Sequence, residues 1–228
     1  YSEVHESVAF ENCTFGEGNG YAFCRPFEAT TFTGCEFNEG FELDATQAAA
    51  ETLKFDECKY AGEDLSAENA VSLLYDGGTV LINGEKVVLV AKIGSVGYAT
   101  LTEAFAALTE GDPLQIFKGT FEEGTIKLPA TLKNVTIEGA ADHATVLKDM
   151  VIMSADGNAV TYDAVTFGGI VFDKSRMVFT GARNGEVIYK DFTVNNCVFK
   201  DIVTSGNYAA VHFNTNADEA VNNFTFTN

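Results

Sequence analysis

The chain has 228 residues and carries 33 Asp and Glu against 14 Lys and Arg, a formal net charge of −19. Such an acidic surface repels phosphate backbones and anionic lipid head groups, so no nucleic-acid partner is expected. No apolar run approaches the roughly 20 residues that a membrane-spanning helix needs, so no membrane insertion is expected either. The chain starts at Tyr1 and stops inside a repeat, which predicts that it is a piece of a longer protein.

The N-terminal part of the chain repeats one short motif. F-x-x-C-x-F occurs at Phe10–Phe15 and at Phe32–Phe37, and a copy ending in Tyr occurs at Phe55–Tyr60. The motif cysteines and the aromatic residues around them recur at nearly equal intervals. The last two apolar residues of each copy alternate with polar ones and so face one side of a strand. The two residues after the first Phe are types that tolerate a bend. Each copy therefore predicts a corner followed by a short inward-facing strand.

The period fails after residue 61, and a different pattern follows. Asn83-Gly84 separates two β-rich arms within Thr79–Val90. Asn-Gly between such arms is the strongest short-range signal for a two-residue hairpin turn. We therefore expect residues 79–96 to form a β-hairpin linker.

A short amphipathic helix is predicted next, at about residues 99–110. Thr100 and Glu103 have the spacing of a capping box, and Gly111 is a typical C-terminal stop. An open solenoid end needs a plug with one apolar face, so we expect this helix to cap the coils that follow. The apolar face of the helix comprises Leu101, Ala104, Phe105 and Leu108.

The repeat resumes after the helix. Residues 113–128 and 130–139 are predicted to form the first two coils. The central residues Ile170, Cys197 and Phe224 of later copies are equally spaced along the chain, so we interpret them as one position in successive coils. The relaxed motif, apolar-x-x-apolar-x-apolar, occurs at Leu132–Ile137, Leu147–Ile152, Phe167–Phe172, Val194–Phe199 and Val221–Phe226.

These repeats predict an all-β solenoid. A unit as short as these cannot bury its own apolar face, whereas stacked units bury one continuous core. The units are rich in Phe, Val, Thr and Ile, which favours a parallel β-helix over leucine-rich or ankyrin repeats. We predict two tandem partial modules. Residues 1–78 would be the C-terminal coils of the first module, and residues 97–228 the cap helix and coils of the second.

The segment Gly97–Leu128 resembles the N-terminal cap and first coil of pectin-lyase-like right-handed β-helix domains. The matching features are the Y-A-T-L-x-E-A helix, Gly111-Asp112 after it, and Lys118–Phe121 after a short strand. The likeness is greatest to modules repeated in large surface proteins of gut Firmicutes and related bacteria. The resemblance implies a right-handed parallel β-helix, a superfold that hosts lyases, hydrolases, adhesins and inert stalks.

The cysteines allow four interpretations: metal ligands, a nucleophile, disulfides or core filling. No C-x-x-C or Cys/His pair has zinc-site spacing, and no base for a nucleophile can be placed from the sequence. An odd number of cysteines and stacked coils that need no staple weigh against disulfides. We predict an inward ladder of small hydrophobic residues. The five are Cys13, Cys24, Cys35, Cys58 and Cys197.

No catalytic, cofactor-binding or metal-binding residue is predicted. The nearest mixed cluster is Asp173–Arg176 with Lys190 and Asp191 one coil later, which would line a groove or lie in solvated loops. His212 is expected on an exposed strand face. The Asp-rich strings that the resemblance would imply for lyases or polygalacturonases are absent from the sequence. The sequon asparagines at the corners are interpreted as a hydrogen-bonding ladder: Asn12, Asn134 and Asn223.

The expected function is that of a non-catalytic repeat module of an extracellular bacterial surface protein, serving as an adhesin or stalk. Its expected partners are neighbouring β-helix modules of the parent chain and a host or environmental glycan or protein. No cofactor is expected. One alternative is a carbohydrate-active β-helix enzyme or sugar-binding domain, and another is a component of a phage or toxin fibre.

Overall fold

A computed structural model of the chain describes residues 7–19, 29–43, 45, 52–155, 159–180, 187–202, 209–214 and 221–227. The chain divides into two compact units, residues 1–99 and 100–228. Parallel sheets stack as a β-solenoid of about 6 turns, which confirms the predicted all-β solenoid fold. The right-handed sense and the module boundaries at residues 78 and 96 stay predictions. No helix in the described part of the chain is long and apolar enough to cross a membrane.

The first unit contains thirteen strands and one short helix within its described residues. They are β1 (Val8–Glu11), β2 (Thr14–Phe15), β3 (Gly18–Asn19), β4 (Thr30–Thr33), β5 (Glu36–Phe37), β6 (Phe41–Glu42), β7 (Leu53–Asp56), β8 (Lys59–Tyr60), β9 (Glu63–Asp64), α1 (Ala70–Leu73), β10 (Gly78–Ile82), β11 (Glu85–Leu89), β12 (Ala91–Ile93) and β13 (Val96–Tyr98).

The F-x-x-C-x-F copies stack directly on one another in this unit. Strands β1, β4, β7 and β10 pair in parallel in that order, and β2, β5 and β8 form a second parallel sheet. The rings of Phe10, Phe32 and Phe55 lie in register, with successive centroids 5.1 and 5.2 Å apart. Phe15 and Phe37 stack in the same way at 5.0 Å. Like residues one coil apart therefore form columns, and the columns form the core.

Two antiparallel hairpins end the parallel stacking of the first unit. Strands β10 and β11 are joined by the two-residue turn Asn83-Gly84, whose φ angles of 50° and 81° fit a type I′ turn. This hairpin lies where the Asn-Gly signal predicts it. Its first strand pairs with β7, so it continues the sheet before reversing direction. The shorter hairpin β8–β9 turns at Ala61-Gly62, where φ is again positive at both residues.

The second unit begins with a helix and continues as strands. Within its described residues the elements are α2 (Leu101–Ala106), β14 (Pro113–Ile116), β15 (Gly119–Phe121), β16 (Thr125–Lys127), β17 (Thr131–Glu138), β18 (Thr145–Lys148), β19 (Val151–Met153), β20 (Val160–Gly168), β21 (Ile170–Asp173), β22 (Arg176–Thr180), β23 (Val187–Lys190), β24 (Thr193–Asn195), β25 (Val198–Lys200), β26 (Val211–Asn214), β27 (Val221–Asn222) and β28 (Thr225–Thr227).

Helix α2 is the predicted amphipathic cap, although it is shorter than the expected 99–110. It packs on β14 and β16, and its predicted apolar face is at most 3% exposed. The Thr100 hydroxyl accepts a hydrogen bond from the Glu103 N–H at 3.1 Å, which is the forward half of a capping box. Glu123 also caps this end, because its carboxylate accepts from the N–H groups of Leu101 and Thr102 at 2.7 and 2.8 Å.

Three parallel ladders build the coils of the second unit. The first ladder runs β14–β17–β20, after which β23 and β24 pair with separate parts of β20. The second ladder runs β15–β18–β21–β25, and the third runs β16–β19–β22–β26. Inward residues of every ladder form the core, including Tyr162, Phe167, Phe172 and Phe179, all at 0% exposure.

A residue with positive φ directly precedes the central residue of the motif at twelve corners of the described residues. The chain turns there and the next strand points inward. Asn and Gly tolerate this left-handed conformation, which explains their frequency at the corners. These corner residues are Asn12, Gly34, Glu57, Asn134, Asp149, Ala164, Gly169, Lys174, Asp191, Asn196, Asp201 and Asn223.

One predicted equivalence between copies is wrong. Cys197 does follow Ile170 in one column, because β25 pairs in register with β21. Phe224 belongs to a different corner, since its ring stacks on Phe192 at 5.4 Å and β28 pairs with β24. Each coil uses the same motif at more than one corner, so equal sequence spacing does not identify equal positions.

Candidate functional site

The motif cysteine occupies a hydrogen-bonding position at the corner. The Cys35 thiol donates to the Phe10 carbonyl at 3.4 Å, and the Cys58 thiol donates to the Phe32 carbonyl at 3.3 Å. Each accepting carbonyl belongs to the preceding coil. The sequence interpretation of simple core filling is therefore incomplete, because the thiol also satisfies a carbonyl where the chain turns.

Ser175 uses the same position for hydrogen bonding in the second unit. It follows the corner residue Lys174, just as Cys58 follows Glu57. Its hydroxyl lies 2.8 Å from the Leu147 carbonyl in the preceding coil and accepts from the Met150 N–H at 2.8 Å. Ser175 is 1% exposed, so no bulk water can replace these bonds. Cysteine and serine thus have the same structural role at different corners.

The described cysteines are poorly suited to nucleophilic chemistry. Cys13, Cys35, Cys58 and Cys197 carry free thiols, and Cys24 lies outside the described residues. Desolvation raises the pKa of the Cys58 thiol to about 11, and burial also raises the pKa of Cys197. A raised pKa leaves little thiolate near neutral pH. No cluster of three or more His, Cys, Asp or Glu side chains in the described part of the chain is arranged to hold a metal ion.

The predicted mixed cluster does not converge. Asp173 and Lys174 lie at the corner between the second and third ladders, and Lys190 and Asp191 lie at a corner of the first ladder. Asp173 instead pairs with Lys200, with Nζ 3.1 Å from Oδ2. The structure therefore distributes these charges over two faces of the coil and forms no common groove from them.

The charges are ordered along the stack in two alternating columns. In the first column, Lys133, Asp163 and Lys190 lie in register on successive coils, and Lys190 Nζ is 3.7 Å from Asp163. We call this the first-ladder charge column. Each charge has the opposite sign to its neighbour in the adjacent coil.

The second column has the same alternation on the second ladder. Lys148, Asp173 and Lys200 lie in register, and Lys148 also pairs with Glu122. We call this the second-ladder charge column. Exposed pairs of this kind contribute about 0–1 kcal/mol each. The charged side chains of the two columns are therefore spread over successive coils and are not gathered at one place.

Glu138 is the carboxylate with the most distinctive surroundings. It lies in register with Gly168 and Asn195, and its carboxylate occupies the space over Gly168 that a Cβ atom would need. Partial burial raises the pKa of the Glu138 carboxyl. A carboxyl group that keeps its proton at higher pH than usual can serve as a general acid. Sequence reasoning missed this residue, because the contact joins positions on successive coils that no local pattern relates.

Two of the histidines lie in the described residues at different places. His143 Nε2 lies 2.9 Å from the Asn196 carbonyl, one residue beyond the Asn195 of the Glu138 column. His212 lies on β26 opposite Val178 and is half-buried, so the exposure expected from the sequence is overstated. The third, His5, is outside the described residues.

The first unit has two shallow depressions that share Asn83. One, of about 310 Å³, has apolar walls that include Leu65 and Ile82. The other, of about 460 Å³, is flanked by the carboxylates of Glu57 and Asp64. No Lys, Arg or His side chain of the described residues lines either depression.

Comparison of the chain with protein-family models, with curated proteins and with solved structures found no match in any of the three. The class of protein therefore follows from the fold alone. The chain is a parallel β-solenoid, compatible with membership in a β-helix superfamily.

Proposed function

We propose that the chain is a non-catalytic repeat module of an extracellular bacterial surface protein, serving as an adhesin or a stalk. We further propose that it belongs among pectin-lyase-like right-handed β-helix modules of the kind found in gut Firmicutes. Its partners would be neighbouring modules of the parent chain and a glycan or protein of the host or environment.

The alternating charge columns are the observation that supports this function. A polysaccharide lyase or hydrolase groups its acids and bases around one bond of the substrate. Here Lys190 is matched to Asp163 and Lys200 to Asp173 on successive coils. Such pairing favours a long structure of fixed register, which suits a spacer that holds a binding domain away from a cell.

Turnover measurements test this proposal. The chain is incubated with polygalacturonate and with a panel of neutral and acidic glycans, with and without calcium, and reducing ends and unsaturated products are measured. We expect no product above a heat-denatured control. Turnover that depends on the folded chain would overturn the non-catalytic assignment. Binding of the same glycans in immobilised form would assign the adhesin role, and absence of binding the stalk role.

The surroundings of Glu138 support a second candidate function, that of a carbohydrate-active enzyme. Its raised carboxyl pKa fits a general acid that protonates a leaving-group oxygen. In that case Glu138→Gln would abolish turnover, because the amide has no acidic proton. The matched control is Glu122→Gln, which removes an exposed carboxylate paired with Lys148. Equal residual activity in both variants would exclude Glu138 as the acid.

A further inference from the structure

The motif cysteines Cys13, Cys35 and Cys58 lie one above another on successive coils, and we call them the cysteine column. We propose that oxidation joins Cys13 and Cys35 of this column in a disulfide that links two successive coils. The thiols of Cys13 and Cys35 are free in the structure.

The register of the coils places the two residues side by side. Glu11 lies opposite Thr33 and Thr14 opposite Glu36, so Cys13 lies opposite Cys35. Adjacent strands are about 4.8 Å apart, within the range of roughly 4.4–6.8 Å that Cα atoms span in disulfides. The Cys35 thiol already reaches toward the coil of Cys13, because it donates to the Phe10 carbonyl.

Solvent access selects this pair over the next one. Cys13 is half-buried, whereas Cys35 and Cys58 are 1% and 3% exposed. An oxidant in solution therefore meets Cys13 first. Cys35 is the next thiol in the column, and Cys58 is one coil further away. The raised pKa of Cys58 further reduces its part in thiolate chemistry.

The reaction balances with a diazenedicarboxamide oxidant such as diamide. The Cys13 thiolate adds to one nitrogen of the N=N bond, forming an S–N bond, and the other nitrogen takes a proton. The Cys35 thiolate then attacks the Cys13 sulfur, the S–N bond breaks, and the S–S bond forms. The departing nitrogen takes a second proton, so the two thiols lose two electrons and two protons in total and the diazene becomes a hydrazine.

The product can be identified by peptide mapping of the full chain. Folded protein is treated with diamide, remaining thiols are alkylated, and the chain is cleaved after Glu. The four cysteines of the first unit then fall on separate peptides, because a Glu lies between each pair. We expect Asn12–Glu17 linked to Ala29–Glu36 and a fall from five alkylated thiols to three. A Cys35–Cys58 link, a link through Cys24, or five alkylated thiols in folded protein would overturn the proposal.

Serine variants provide the controls. Cys58→Ser keeps the corner hydrogen bond, as Ser175 shows, and should still give the cross-link. Cys13→Ser changes a half-buried residue and should abolish the cross-link without unfolding the chain, as checked by circular dichroism. Retention of a diamide-dependent loss of two thiols in Cys13→Ser would contradict the assignment. Unchanged cross-linking in Cys24→Ser would support it, and loss of the cross-link there would refute it.

Discussion

Substitution of Ser175 tests whether the corner position requires a hydrogen-bonding group. Its Oγ accepts from the Met150 N–H and lies within 2.8 Å of the Leu147 carbonyl, all in a buried corner. Ser175→Ala leaves the N–H unsatisfied, and a buried donor without a partner costs about 1–3 kcal/mol. We therefore expect the free energy of unfolding to fall by about 2 kcal/mol. This is a large share of the roughly 5–15 kcal/mol by which domains are stable.

Urea unfolding followed by far-UV circular dichroism measures this loss. With an m-value of about 2 kcal/mol per molar urea, the midpoint should fall by about 1 M. Ser175→Cys should lose about half as much, because a thiol can donate as Cys58 does but is a weak acceptor. The control is Thr120→Val, which removes an exposed hydroxyl and should stay within about 0.5 kcal/mol of the parent.

A bulky apolar side chain at position 175 separates hydrogen bonding from the filling of space. Ser175→Val fills the corner with apolar volume but provides neither donor nor acceptor. If Ser175→Val unfolds at a higher urea concentration than the parent chain, side-chain volume at this position stabilises the fold more than hydrogen bonding does. An unchanged midpoint in Ser175→Ala would likewise show that the hydroxyl contributes nothing.

Three further predictions concern single residues of the second unit. Glu123→Ala should lower the free energy of unfolding in urea by about 1–2 kcal/mol, because it leaves the N–H groups at the start of α2 without their acceptor. The control is Glu122→Ala, which removes an exposed carboxylate, and equal losses in the two variants would contradict the capping role of Glu123. Gly139→Ala should cost about 1–3 kcal/mol in thermal unfolding, because the new Cβ meets a backbone oxygen at 2.9 Å. Gly168→Ala should be tolerated, because the three atoms nearest to its new Cβ all belong to the movable carboxylate of Glu138. A larger loss of thermal stability in Gly168→Ala than in Gly139→Ala would contradict this prediction. The pKa of Glu138 is raised from its ordinary 4.5 in the folded chain, so its contribution to stability is fully present below pH 4.5 and is lost as pH rises through the folded pKa. The parent should therefore lose stability relative to Glu138→Gln as the pH rises above 4.5 and through the folded-state pKa, and a difference that stays constant with pH would contradict the raised pKa.

The elements that sequence reasoning predicted correctly are those with local signals. The Phe and Cys spacing predicts the stacked coils because each coil repeats the same inward positions. Asn83-Gly84 predicts its hairpin because few other residue pairs adopt positive φ at both turn positions. The apolar face of α2 is visible in the sequence because it recurs with the helical period.

The features that were missed or mistaken depend on contacts between coils. The equal step that joins Ile170, Cys197 and Phe224 fits more than one corner, so Phe224 was assigned to the wrong column. Glu123 caps a helix that lies well before it in the sequence, and Glu138 covers a glycine in the next coil. The donor role of Cys58 has no sequence signal, since cysteine also serves as apolar filling.

The two charge columns restrict how the number of coils can change during evolution. Asp163 and Asp173 lie in the same coil, between a preceding coil with Lys133 and Lys148 and a following coil with Lys190 and Lys200. Deletion of that single coil would place lysine against lysine on both columns. Loss of two adjacent coils would introduce neither clash, because the order of signs would be kept. A deletion that removes the coil of Asp163 and Asp173 therefore keeps the alternation of charge only if an adjacent coil is lost with it.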